Sequence, residues 1–101
     1  MKEVAVILPA NKPMPTVAAL ERVLKQPGLC VTLRGTLAGY PGCTHWHLKN
    51  GRERGVLELT YWPGGKRIWL SMQDGRRGGW VMRSARDLKS QLELKVANSK
   101  R

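Results

Sequence analysis

Phenylalanine is missing from the 101 residues, aromatic residues amount to 6%, cysteines number two and acidic residues seven. Two cysteines, Cys30 and Cys43, are too few for the dense disulfide framework of a small secreted domain, and they read as reduced packing residues. No apolar run approaches the roughly 20 residues that a bilayer-crossing helix needs, so no membrane partner is expected. The opening segment, residues 1–8, is too short for a signal peptide and has no small-residue cleavage site, which points to a cytoplasmic chain. Phosphate-binding loops of the GxxxxGK type, GxGxxG fingerprints and GxSxG elbows are absent as well, and no cofactor is expected.

What is present is basic charge. Eighteen Lys and Arg against seven Asp and Glu give a net charge of +11. Such an excess favours a polyanionic partner, with nucleic acid (DNA or RNA) ahead of an anionic membrane surface. The excess is uneven: residues 49–86 hold Lys49, Arg52, Arg54, Lys66, Arg67, Arg76, Arg77, Arg83 and Arg86 against Glu53, Glu58 and Asp74. Trp62, Trp69 and Trp80 fall in the same stretch, and Trp46 lies just before it. A hydrophobic share of 42% is enough for one modest core, and the length suits a single basic domain over residues 1–101.

Two local periods organise the chain. Residues 3–8 form a short β-branched run ended by Pro9, consistent with a strand. Across residues 16–26, Val17, Leu20, Val23 and Leu24 follow the helical period, with Pro15 before them and Pro27-Gly28 as a stop. From Leu29 the period becomes two, cut by turn residues at 39–42, at Asn50-Gly51, at Pro63-Gly64-Gly65 and at Asp74-Gly75. A capping-box pattern from Ser84 to Asp87, with Leu88, Leu92 and Val96 behind it, predicts a second helix over 85–97. The order is strand, helix, a meander of four or five strands, then helix, in its longest form β-α-β-β-β-β-β-α. This is an α+β domain with one antiparallel sheet and both helices on one face.

Register follows from matching apolar positions across the turns, because a slip of one residue would invert every face. A tight turn at Gly64-Gly65 pairs Trp62 with Arg67, Thr60 with Trp69 and Leu59 with Leu70. The loop before it pairs His47 with Glu58, His45 with Thr60 and Trp46 with Leu59. A loop over residues 38–43 would set Leu33 beside Leu48, with Arg34 and Thr36 beside His47 and His45. One face then holds Leu33, Trp46, Leu48, Leu57, Leu59, Tyr61, Ile68, Leu70 and Met72 and forms the core. The other collects Thr32, Arg34, Thr36, His45, His47, Lys49, Glu58, Thr60, Trp62, Arg67, Trp69 and Ser71, with no element left over to cover it.

An open sheet face with tryptophans among cations suits a nucleic acid, since indoles stack on bases and cations neutralise phosphates. The expected function is non-enzymatic nucleic-acid binding through Arg34, Lys49, Arg52, Arg54, Trp62, Lys66, Arg67, Trp69, Arg76 and Arg77. An alternative is a small ribonuclease in which His45, His47 and Glu58 act as acid and base. A third possibility is a protein partner or self-association through the Trp62, Arg67 and Trp69 patch. Two histidines and a carboxylate are also ligands for zinc or iron, but Cys43 has the wrong strand parity to join them. An ion pair between His47 and Glu58 that helps register is the simpler account, and no metal is assigned.

Overall fold

The structure is a computed structural model that describes residues 1–73 and 78–98. The stretch of two-residue periodicity folds as four consecutive strands, β2 (Leu29–Gly35), β3 (Thr44–Asn50), β4 (Leu57–Trp62) and β5 (Arg67–Met72). The N-terminal strand β1 (Lys2–Ala5) pairs with β5, so the fully antiparallel sheet has the order β1-β5-β4-β3-β2. Helices α1 (Val17–Leu24) and α2 (Gly79–Ala97) complete an α+β domain. The meander has four strands, and the N-terminal strand supplies the fifth.

Both helices bury the same face of the sheet. Leu20 and Leu24 of α1 and Trp80, Val81, Ala85, Leu88, Leu92 and Val96 of α2 close over Trp46, Leu48, Leu57, Leu59, Tyr61, Ile68, Leu70 and Met72. Thr16 caps α1 by accepting from the Ala19 amide at 3.1 Å, which satisfies one of the amides a helix start leaves unpaired. The Tyr61 hydroxyl donates to the Pro15 carbonyl and ties the entry of α1 to the sheet. Among the described residues, no helix is long and apolar enough to cross a membrane.

The β3–β4 and β4–β5 registers are those expected, with His47 opposite Glu58, Thr60 opposite Trp69 and Trp62 opposite Arg67. The turn between β4 and β5 is longer than two residues: a 3₁₀ turn over Pro63–Gly65 is followed by Lys66 in the left-handed region at φ 53°. Its four residues leave the register untouched.

The β2–β3 pairing departs from expectation. Val31 pairs with Leu48, then the register shifts, so that Leu33 faces His47 and Arg34 faces Trp46. An extra residue in one strand inverts every face beyond it. Leu33 is therefore 48% exposed on the outer face instead of lying in the core. Arg34 turns to the helix side, where its guanidinium sits 3.4 Å from the Glu21 carboxylate. The same carboxylate accepts the Trp46 indole N–H at 3.0 Å.

Helix α2 starts six residues before the expected position, at Gly79. Val81, Ala85, Leu88, Leu92 and Val96 continue one buried stripe, so the apolar face reaches back past Ser84. The pair Gly78-Gly79, which reads as a turn, is where the chain passes close to the β3–β4 loop. A Cβ on Gly78 would meet the Arg54 carbonyl oxygen at 2.0 Å, so only glycine fits there. The expected Asp74-Gly75 turn lies outside the described residues.

Candidate functional site

The outer face of the sheet is formed by Cys30 and Leu33 of β2, His45, His47 and Lys49 of β3, Glu58, Thr60 and Trp62 of β4, Arg67, Trp69 and Ser71 of β5, and Glu3 and Ala5 of β1. Among the described residues no helix packs on it, but it is not bare. The loop over residues 36–43 folds back across one end. The loop is shaped by the Leu37 amide on Cys43 Sγ at 3.2 Å, the Tyr40 amide on the Leu37 carbonyl and the Cys43 amide on the Tyr40 carbonyl. Cys43 is a buried structural thiol in this role.

The loop carries Tyr40 onto the two outer tryptophans, its ring centroid 5.0 Å from each. The Trp62 indole N–H donates to the Pro41 carbonyl at 3.1 Å. Trp69 is thereby reduced to 4% exposure, which corrects its assignment as a base-stacking platform. Tyr40 and the Arg67 guanidinium lie against its ring, and little indole surface is left for a base. Trp62 remains half-buried. Tyr40 was missed in the sequence, where its only signal is an aromatic side chain set between Gly39 and Pro41-Gly42.

Arg67 uses the cluster as a seat. Its guanidinium carbon lies 4.4 Å from the Trp69 ring centre while the residue stays exposed. A cation over an indole keeps its charge and loses conformational freedom. No carboxylate pairs with it among the described residues. Lys66 is exposed beside it in the turn.

At the other end of the strands, about 20 Å away for six residues at the usual rise, Arg52 and Arg54 are exposed in the β3–β4 loop. This loop is pinned, because the Trp80 indole N–H donates to the Arg54 carbonyl at 2.7 Å and Asn50 Nδ2 donates to the Glu53 carboxylate at 2.9 Å. Lys49 lies on the outer face next to it, opposite Cys30. Arg34 is removed from the set by the bulge in β2, being bound to Glu21 on the helix side. Arg76 and Arg77 lie outside the described residues.

Between the two basic ends, the structure brings His45, His47 and Glu58 together. His45 Nε2 is 3.1 Å and His47 Nε2 3.7 Å from the same oxygen of Glu58. His45 Nδ1 is 2.8 Å from the Thr60 hydroxyl, and the two imidazoles meet edge to face at 5.0 Å. Thr60 is fully buried and His45 nearly so. A pocket of about 220 Å³ opens beside them, lined among others by Glu3, Tyr40, His45, Glu58, Trp69 and Ser71.

Burial pushes the His45 imidazole below its ordinary value of 6.5, with the Glu58 charge opposing and His47 adding to the shift. The unfolded chain then binds more protons than the folded one. The stabilisation is complete above about pH 6.5 and is lost as pH falls through the lower folded value. The urea midpoint is expected to drop between pH 7 and pH 5.5, with a shallower drop in His45→Gln. Parallel pH profiles for the two proteins would contradict the assignment.

No protein-family model, curated protein or solved structure matches the chain.

Proposed function

We propose that the chain is a non-enzymatic nucleic-acid-binding protein that lays a sugar-phosphate backbone across the outer sheet face. The observation that carries this reading is Arg67, an exposed guanidinium held over Trp69 at 4.4 Å with no carboxylate partner among the described residues. A pre-oriented cation on a rigid seat binds phosphate without first being ordered, which removes part of the entropic cost of association. Arg52 and Arg54, exposed on the pinned loop at the opposite end of the strands, supply a second anchor, and Lys49 and Lys66 flank the two ends. The tryptophans and Tyr40 act mainly as the scaffold that presents these cations, with Trp62 offering its remaining exposed surface to a base. The net charge of +11 supports the same reading, since charge of this size draws polyanions at long range.

The test is fluorescence anisotropy with short labelled RNA and DNA, single-stranded and duplex, at 50 and 200 mM salt. Each neutralised phosphate contributes about −0.7 to −0.9 to the log–log slope of affinity against salt. With the five cations named above engaged, a slope near −4 is expected, or a loss of roughly two to three orders of magnitude over this range. An absence of binding at 50 mM salt, or an affinity indifferent to salt, would overturn the reading. Cleavage of the RNA probe that disappears in Glu58→Gln would replace it with catalysis by His45, His47 and Glu58.

A further inference from the structure

We propose that His45, His47 and Glu58 form a binding site for one divalent transition-metal ion of the zinc class, with its open position facing the pocket beside Tyr40. The site goes beyond nucleic-acid binding and does not depend on it.

Strand geometry explains the convergence. Residues two apart on a strand project to the same side, so His45 and His47 both stand on the outer face of β3. Glu58 is directly opposite His47 on β4 and diagonal to His45. Its carboxylate reaches both, and the three potential ligand atoms lie within 4.8 Å of one another. In a tetrahedral zinc centre with bonds of about 2.0–2.2 Å, neighbouring ligand atoms are about 3.3–3.6 Å apart. The two His–Glu separations of 3.1 and 3.7 Å bracket that range, and side-chain rotations that draw the two imidazoles together would close the site on an ion.

The surroundings fit the same chemistry. A histidine ligand is usually oriented by a hydrogen bond at its other ring nitrogen, and for His45 that partner is the buried Thr60 hydroxyl at 2.8 Å. A hydroxyl can donate or accept. With no ion bound, His45 can donate from Nε2 to Glu58 and accept from Thr60 at Nδ1. With an ion on Nε2, the ring proton moves to Nδ1 and Thr60 becomes the acceptor, so His45 keeps its hydrogen bond at Nδ1. Imidazole ligands favour zinc, copper, nickel or iron over magnesium or calcium. Glu58 brings the negative charge that a cation needs in a basic protein, and Glu3 lines the adjoining pocket. Three protein ligands leave a fourth position for water or another small ligand on the pocket side.

The full chain, stripped with a chelator, is titrated with zinc ions by calorimetry and with cobalt ions by visible absorption. The expected result is one ion per chain, cobalt bands of a four- or five-coordinate site, and a change of the His45 tautomer from Nε2–H to Nδ1–H in its ¹⁵N spectrum. His47→Gln and Glu58→Gln, shown to be folded by circular dichroism, should lose the one-ion stoichiometry. Thr60→Val, if folded, should weaken zinc about 10- to 100-fold, and Cys30→Ser should leave it unchanged. Failure of the wild-type chain to bind zinc, or binding that persists unchanged in both His47→Gln and Glu58→Gln, would overturn the proposal. Neither result involves a nucleic acid.

Discussion

Trp80→Ala is expected to cost about 3–5 kcal/mol of stability, which is a large part of the 5–15 kcal/mol that holds a typical domain folded. Trp80 is 1% exposed and opens α2 against the sheet core. Truncation leaves a cavity the size of an indole at a place where the backbone cannot collapse, because Gly78 already abuts the Arg54 carbonyl. It also removes the N–H that this carbonyl accepts at 2.7 Å. Trp80→Phe keeps most of the volume and loses only that hydrogen bond, so its cost should be nearer 1–2 kcal/mol. Urea unfolding followed by far-ultraviolet circular dichroism separates the two. A cost below about 1 kcal/mol for the alanine variant would mean that Trp80 does not set the start of α2.

The largest effect on binding is expected from Arg52→Gln, Arg54→Gln and Arg67→Gln made together. On the counterion-release relation each phosphate contact is worth roughly 0.9 log units at 0.1 M salt, so the triple variant should lose about 2 to 3 log units of affinity. Its salt slope should fall by nearly three. A control carrying Arg22→Gln, Arg83→Gln and Arg86→Gln has the same net charge but loses exposed cations of α1 and α2 instead. It should bind within severalfold of the wild type. Equal losses in the two triple variants would show that charge alone, without a defined face, drives association.

The central strands were legible in the sequence because both of their faces are strongly marked. Leu57, Leu59 and Tyr61 alternate with Glu58, Thr60 and Trp62, and only one register lets apolar meet apolar across to β3 and β5. Strand β2 carries weaker marks, with Val31 and Leu33 both apolar and both at an exposed edge, so the bulge between them left no trace in the pattern. That extra residue in β2 is why parity counted from Val31 puts Arg34 on the wrong face. The early start of α2 was hidden for another reason. Gly78-Gly79 has the composition of a turn, and the tertiary contact of Trp80 with Arg54 overrides that local preference.

The candidate site was legible as a set of residues and not as an environment. Parity correctly placed His45, His47, Glu58, Trp62, Arg67 and Trp69 on one face. Their burial depends on where a connection between strands comes to rest, and periodicity says nothing about that. Tyr40 changes Trp69 from a platform into a support, and Thr60 turns from a neutral strand residue into the partner of His45. Both effects are set by contacts between residues that are distant in sequence.

The most direct test of the outer face as the binding surface is a ¹H–¹⁵N spectrum of the full chain titrated with a short oligonucleotide at low salt. The account predicts shifts at the Arg67 guanidinium, the Trp62 indole N–H and the amides of residues 51–54 and 66–67. It predicts little change on the exposed sides of α1 and α2. Shifts concentrated at Arg22, Arg83 and Arg86 with a silent outer face would contradict it.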